Sequence, residues 1–175
     1  MTEKAYTYDS YGLKKSSSTT DSKGVTVKQD MSYAYQYYSF VNDKNMLSFP
    51  YQTTTKVNNQ IVNVVQSKWI NDNGKVYLNE NWSGPSTSSL RLNSQISKVE
   101  PSGNVLESNN GKGFYNTVLF GYDNLYEVAT VSNSSYSEVI NELEVTYAQL
   151  QNLTSSNLKV ELLKLYEKLP NVPIN

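Results

Sequence analysis

The chain has 175 residues, a net charge of −1, and neither cysteine nor histidine. Disulfides, thiolate nucleophiles and imidazole-based acid–base or zinc chemistry are therefore excluded, and without a basic surplus no nucleic-acid partner is expected. The conspicuous residue is tyrosine, 15 against 4 Phe and 2 Trp, in a background rich in Ser, Thr and Asn; Tyr and Thr suit pleated, half-buried surfaces, and Asn and Ser suit turns.

Residues 5–37 alternate with period two through Tyr6, Tyr8, Val25, Val27, Met31, Tyr33, Tyr35 and Tyr37, which predicts strands. Between them lie Tyr11-Gly12 and a polar run from Lys14 to Lys23 closed by Gly24, expected as a turn or loop. The Tyr33 to Tyr38 cluster is expected on a sheet face.

Residues 47–57 and 61–69 form a predicted hairpin around Asn58-Asn59-Gln60. Asn71-Asp72-Asn73-Gly74 is the strongest hairpin signal, with a return strand over 76–82 that Gly84-Pro85 breaks. Further strands are expected over 90–99, from Val105 after the turn at Pro101-Ser102-Gly103-Asn104, over 114–120, and over 126–131.

Near residue 135 the period becomes helical. Tyr136, Val139, Ile140, Leu143, Tyr147 and Leu150 mark one helix, opened by a capping box of Ser135 with Glu138. Leu158, Leu162, Leu165, Tyr166 and Leu169 mark a second, over about 157–168, ended by Pro170 and Pro173. Each helix carries one apolar stripe, so the pair should dock on the sheet, with Leu143, Leu150, Leu162 and Leu165 buried.

The expected fold is mainly β: a curved antiparallel sheet of roughly 8 to 10 strands, followed by an αα-hairpin. The division is residues 1–132 for the tyrosine-rich β region and 133–175 for the hairpin and tail, together one domain.

Catalytic signatures are missing. Gly111-Lys112-Gly113 lacks the length and the following Ser or Thr of a phosphate loop. After Asn71-Asp72-Asn73-Gly74 come Lys75 and Val76 rather than spaced oxygen ligands for calcium. The serine runs have no histidine partner. The helical carboxylates Glu138, Glu142, Glu144, Glu161 and Glu167 read as solvated charge rather than a hydrolytic pair. No catalytic residue, cofactor or metal is expected, and the chain reads as non-enzymatic. No stretch approaches 18 apolar residues, so no membrane span is expected. Met1-Thr2-Glu3-Lys4 begins no signal-peptide apolar run, which reads as a chain starting inside a larger architecture.

Tyr6-Thr7-Tyr8-Asp9-Ser10-Tyr11-Gly12 resembles the Tyr-x-Tyr-Asp-x-x-Gly motif of YD-repeat, or RHS-like, proteins. Residues 100–107, with Gly103, look like a degenerate second copy. Phe120-Gly121-Tyr122-Asp123-Asn124-Leu125-Tyr126-Glu127-Val128-Ala129, followed by 133–139, is similar to a segment of such proteins in Bacteroidetes, as are 44–50 and Leu169-Pro170-Asn171. Phe120 and Glu127 depart from that pattern, which usually has Trp and Pro. The resemblance implies repeat-motif roles for Tyr6, Tyr8, Asp9, Gly12, Gly103, Gly121, Tyr122 and Tyr126: glycine supplies the turn, aspartate bonds the turn amides, and tyrosine packs on the next hairpin. It also implies an extracellular or cell-surface location and a scaffold role in polymorphic-toxin or adhesion machinery. Partners would be protein: neighbouring repeats, a parent or toxin chain, or another copy joined through a sheet edge; the first strand is expected to pair either with the chain's own last strand or with such a copy. The other expectation is a stand-alone module that grips glycan or peptide with exposed aromatics, the candidates being Tyr33, Tyr35, Tyr37, Trp69 and Trp82.

Overall fold

The structure is a computed structural model that describes residues 2–169. The expected end of the last helix at Pro170 and Pro173, and the expected continuation of the tail, lie outside the described residues.

Ten antiparallel strands follow one another in sequence order, each hydrogen-bonded to its neighbours in the chain. They are β1 (Glu3–Tyr8), β2 (Lys14–Thr20), β3 (Thr26–Tyr33), β4 (Pro50–Val57), β5 (Gln60–Asp72), β6 (Lys75–Gly84), β7 (Arg91–Val99), β8 (Val105–Asn109), β9 (Tyr115–Gly121) and β10 (Tyr126–Ser132). The fold is mainly β and antiparallel, with C-terminal helices. The order places β1 at one edge and β10 at the other, so β1 has no pairing with the last strand. Strand gives way to helix after Ser132. Compactness divides the chain elsewhere, into Met1–Ser94 and Gln95–Asn175, within β7.

In the first unit the run from Lys14, expected as a loop, is strand β2 up to Thr20. Its residues alternate no hydrophobic with polar groups, so period-two reading fails on it. It pairs with β1 and β3, and hydroxyls bridge both partners: Thr7 Oγ1 to Ser16 Oγ at 2.7 Å and Thr20 Oγ1 to Thr26 Oγ1 at 2.9 Å. Asp30 on β3 receives Lys28 at 3.0 Å and Lys56 on β4 at 2.8 Å.

The Tyr33 to Tyr38 cluster is not a sheet face. The chain leaves β3 at Tyr33, makes a 3-10 turn over Ala34–Gln36, and enters α1 (Ser39–Asp43) before returning at Pro50. Ala34 N–H donates to the Phe49 carbonyl at 2.7 Å, and Met46 N–H donates to that of Val41 at 3.0 Å, closing the excursion on itself. Ala34, Val41 and Val64 are its unit's fully buried apolar residues, with Thr54 and Ser67 nearly so.

Among the described residues of the second unit three helices follow the strands in place of the expected two-helix hairpin: α2 (Tyr136–Glu142), α3 (Tyr147–Leu150) and α4 (Ser155–Lys168). The helix expected through Leu150 breaks because Leu143 turns to ψ 141° and Thr146 starts a new helix. Thr146 and Gln149 form a second capping box like that of Ser135 and Glu138, satisfying amides the break exposes. From α4, buried Glu161 accepts the Glu144 N–H at 2.5 Å, Lys164 pairs with Glu144 at 2.5 Å, and Lys168 Nζ donates to the Glu142 carbonyl at 2.9 Å. The break is thus held by three side chains of one helix.

Leu119, Ala129 and Val131 from β9 and β10 form one core with Val139, Leu150, Leu158 and Leu165, and Leu143 and Leu162 pack against it. Of the leucines expected to be buried, Leu150 and Leu165 are, Leu143 and Leu162 are half-buried, and Tyr166 of the same predicted stripe is exposed. Each fully buried leucine or valine in this core stabilises by about 1.5–3 kcal/mol. Gly121 sits where a Cβ would come within 2.8 Å of Val128 Cγ1, so it permits close packing under α4.

Leu165→Ala should cost about 2–5 kcal/mol of stability by leaving a cavity under α4. Leu163→Ala, on the exposed side of the same helix, should stay within about 0.5 kcal/mol. Urea denaturation followed by far-UV circular dichroism distinguishes the two.

Candidate functional site

Four loops share a backbone bond from the first amide to the fifth carbonyl, and those at Asp9, Asp21 and Glu100 add a second from the fourth amide to the first carbonyl. At Asp9-Ser10-Tyr11-Gly12-Leu13, the Asp9 N–H donates to the Leu13 carbonyl at 2.9 Å and the Gly12 N–H to that of Asp9 at 3.1 Å. Asp9 Oδ1 also accepts the Tyr11 and Leu13 amides, both at 2.9 Å. Asp21-Ser22-Lys23-Gly24-Val25 repeats every one of these bonds, its Oδ1 taking Lys23 at 2.8 Å and Val25 at 2.9 Å. Asn110 does the same for Lys112 at 3.0 Å and Phe114 at 3.3 Å. Glu100-Pro101-Ser102-Gly103-Asn104 keeps the backbone closure alone. The fourth residue of each loop is glycine at φ 76° to 105°, a region that other side chains adopt at a cost. The copies at Asp21 and Asn110 carry no Tyr-Asp signature, and were visible only as Asp or Asn three residues before glycine.

The motif tyrosines are not packed between hairpins. Tyr6 and Tyr8 are exposed on edge strand β1. Tyr122 and Tyr126 meet edge-to-face at 6.0 Å, both partly or largely exposed, and the Tyr122 hydroxyl lies 2.9 Å from Ser155 Oγ.

Most of the candidate contact aromatics are engaged within their own unit. The Tyr33 hydroxyl donates to the Lys14 carbonyl at 2.9 Å, and that of Tyr35 to Asp9 Oδ2 at 2.8 Å. Tyr35 also takes the edge of Tyr11 at 5.1 Å, tying the first loop to the excursion after β3. Trp69 donates Nε1–H to the Pro50 carbonyl at 2.8 Å and stacks on Phe49 at 4.4 Å. Trp82 donates to Glu80 at 2.7 Å under the Lys68 ammonium, 4.7 Å from its ring. Tyr37 differs: it is 56% exposed and stacks on Tyr51 at 3.9 Å. Tyr33 and Tyr35 stack on each other at 6.3 Å beside the first loop, while Tyr51, the partner of Tyr37, also meets Tyr38 edge-on at 6.0 Å.

Partial desolvation acts to raise the Asp9 carboxyl, but the Leu13 amide, the Tyr35 hydroxyl, the Tyr11 amide and Lys15 together hold it below its ordinary value.

The second unit contains a cavity of about 430 Å³ that sequence reasoning missed. Strand β7 supplies Lys98, the following loop Glu100 and Ser102, α2 Tyr136, and α3 with its end Tyr147 and Gln151. Glu100 is only 5% exposed. Its Oε1 accepts from Asn104 Nδ2, whose amide also donates to the Asn124 carbonyl at 2.8 Å. Tyr136 and Tyr147 meet edge-to-face at 5.9 Å, and the Lys98 ammonium sits 4.0 Å from the Tyr136 ring centre. Burial, reinforced by Tyr147 and Glu100, pushes the Tyr136 hydroxyl up to about 12. The one sequence signal was Glu100 standing where the other loops carry Asp or Asn, one methylene too long to chelate the loop amides.

Among the described residues no group of three or more acidic side chains is arranged to hold a metal ion, and no helix is long and apolar enough to cross a membrane. No protein-family model matches the chain, and no curated protein matches it.

Two titrations follow from these environments. Asp9 contributes stability above the ordinary value of 3.8 that is lost as pH falls through its depressed value. Asp9→Ala should therefore speed hydrogen exchange at the Tyr11 and Leu13 amides at neutral pH, leaving Lys23 and Val25 unchanged. At the alkaline end, Tyr136 contributes stability in full below 10 that is lost as pH rises through about 12. Tyrosinate absorbance should show a late-titrating class that Tyr136→Phe diminishes.

Proposed function

We propose that the chain is a non-catalytic structural and interaction segment of a YD-repeat-like secreted or cell-surface protein, a scaffold of the kind that presents a toxin or adhesive partner. The supporting observation is the loop that recurs at Asp9, Asp21, Glu100 and Asn110 within a strictly sequential meander. A sheet assembled from repeated hairpins extends by adding copies of one unit, which suits display and spacing rather than a single reactive centre. The aromatics point the same way. Tyr33, Tyr35, Trp69 and Trp82 direct their polar atoms to protein groups, so they brace the fold. Edge strand β1, with exposed Tyr6 and Tyr8, offers the surface through which a partner strand would add.

One observation favours a second reading. The Tyr37–Tyr51 stack is exposed on Tyr37 and could carry a glycan ring or a peptide side chain.

The test is made on intact producing cells. The scaffold reading expects the chain to be reached by antibody or protease from outside. It expects Gly12→Val, strained at φ 76°, to abolish that display while Tyr37→Ala leaves it intact. A chain confined to the cell interior, or a hydrolytic activity removed by a carboxylate substitution, overturns it. Saturable binding on a glycan or peptide array that Tyr37→Ala abolishes would put the second reading in its place.

A further inference from the structure

We propose that the cavity over Glu100 is a binding site for a primary alkylammonium group, the chemistry of a lysine side chain or a small free amine.

A charge taken out of water needs a partner of opposite charge or a full set of hydrogen bonds. Glu100 is nearly enclosed, yet Lys98, which lines the same cavity, makes no ion pair with it among the described residues. Oε1 is taken by Asn104 Nδ2, and Oε2, which is not among the buried atoms left without a partner, opens to solvent in the cavity. The side chain lines a cavity of about 430 Å³ rather than packed protein, so a ligand can reach it.

The walls suit a cation. Two tyrosine rings that meet edge-to-face line the same cavity, and a ring face attracts ammonium through its quadrupole. The protein already shows this preference, because the Lys98 ammonium rests 4.0 Å from the Tyr136 ring. Glu100 lies close enough to make ionisation of both Tyr136 and Tyr147 harder, so its charge is felt at both rings. Among the described residues the Tyr136 hydroxyl has no hydrogen-bond partner and is free to accept from an ammonium proton, as is that of Ser102 at the rim. An anion would meet Glu100, and a neutral polyol would leave its charge uncompensated. Lys98 competes for the same ring and repels an incoming cation, so it acts as a brake on affinity.

The test is a heteronuclear NMR titration of the full chain with four probes: n-butylamine, a lysine peptide with blocked ends, the same peptide acetylated on Nε, and methyl glucoside. Saturable shifts at Tyr136, Tyr147 and Gln151 are expected with the two amines, weakening with salt. The tighter of the two names the source as free amine or protein lysine. Glu100→Gln, which keeps an acceptor for Asn104, should weaken binding at least about tenfold, the factor for one lost charge-assisted hydrogen bond. Lys98→Ala should strengthen it. An unchanged late-titrating tyrosine class in Lys98→Ala, and a native amide spectrum in Glu100→Gln, show that the variants fold. The proposal is overturned if the acetylated peptide binds as well as the amine, if methyl glucoside binds in place of the amines, if Glu100→Gln binds like the parent, or if millimolar amine leaves those resonances unmoved.

Discussion

Every strand in this protein must turn back onto its own sequence neighbour, and the turns decide whether it can. A loop of two to five residues exposes amides that the ladder no longer serves and requires backbone conformations most residues avoid. An Asp or Asn oxygen taking two loop amides, with glycine two residues before the return strand, solves both problems at once. Elsewhere Asn58-Asn59 and Asn73-Gly74 turn in two residues at positive φ, the hand that matches strand twist. Tyr122, Asp123 and Asn124 take left-handed conformations in succession. That turn is held from outside by Gln151, whose carbonyl accepts the Asp123 N–H at 3.2 Å and whose side chain reaches Asn124. The abundance of Asn, Asp and Gly in short polar runs is the composition such turns require.

The two units then solve stability differently. The first buries few apolar side chains and relies on the ladder, on hydroxyl and ion-pair bridges between strands, and on aromatic rings that lean on loops. Tyr35 is the clearest case, since its hydroxyl finishes the Asp9 network from the far side of the β3 excursion. The second unit has a conventional core between two strands and three helices. There the polar side chains act on the helices: Glu161 holds the Glu144 amide that a continuous helix would have satisfied internally.

Legibility tracked these mechanisms. Turns were readable because Gly, Asn and Asp announce positive φ locally, and the return strands after them followed. The helical stripe was readable because Leu143, Leu150, Leu162 and Leu165 repeat with the helix period and find the strands. β2 was not, because a run of Lys, Ser and Thr has no apolar face; what makes it strand is having a neighbour on both sides. Tyr33 to Tyr38 kept a strand-like period while the backbone closed through Ala34 and Phe49, a pairing distant in sequence. The helix break was written in Thr146 and Gln149 but hidden under the continuing apolar stripe. The Glu100 cavity was invisible because its walls come from a strand, a loop and two helices, which no local pattern brings together.

Sequential pairing also bears on how the chain finds its structure. Each hairpin closes a loop of a few residues, and the entropy of closing short loops is small compared with that of joining distant strands. Once one hairpin forms, its free edge templates the next strand, so growth proceeds by local additions rather than by a distant search. Antiparallel sheets fold slowly when their strands pair across the sequence; here that penalty falls mainly on the β3 excursion, whose closing bond links residues 34 and 49. The meander therefore gives a β-rich chain helix-like locality, with the β3 excursion as the longest loop its first unit has to close.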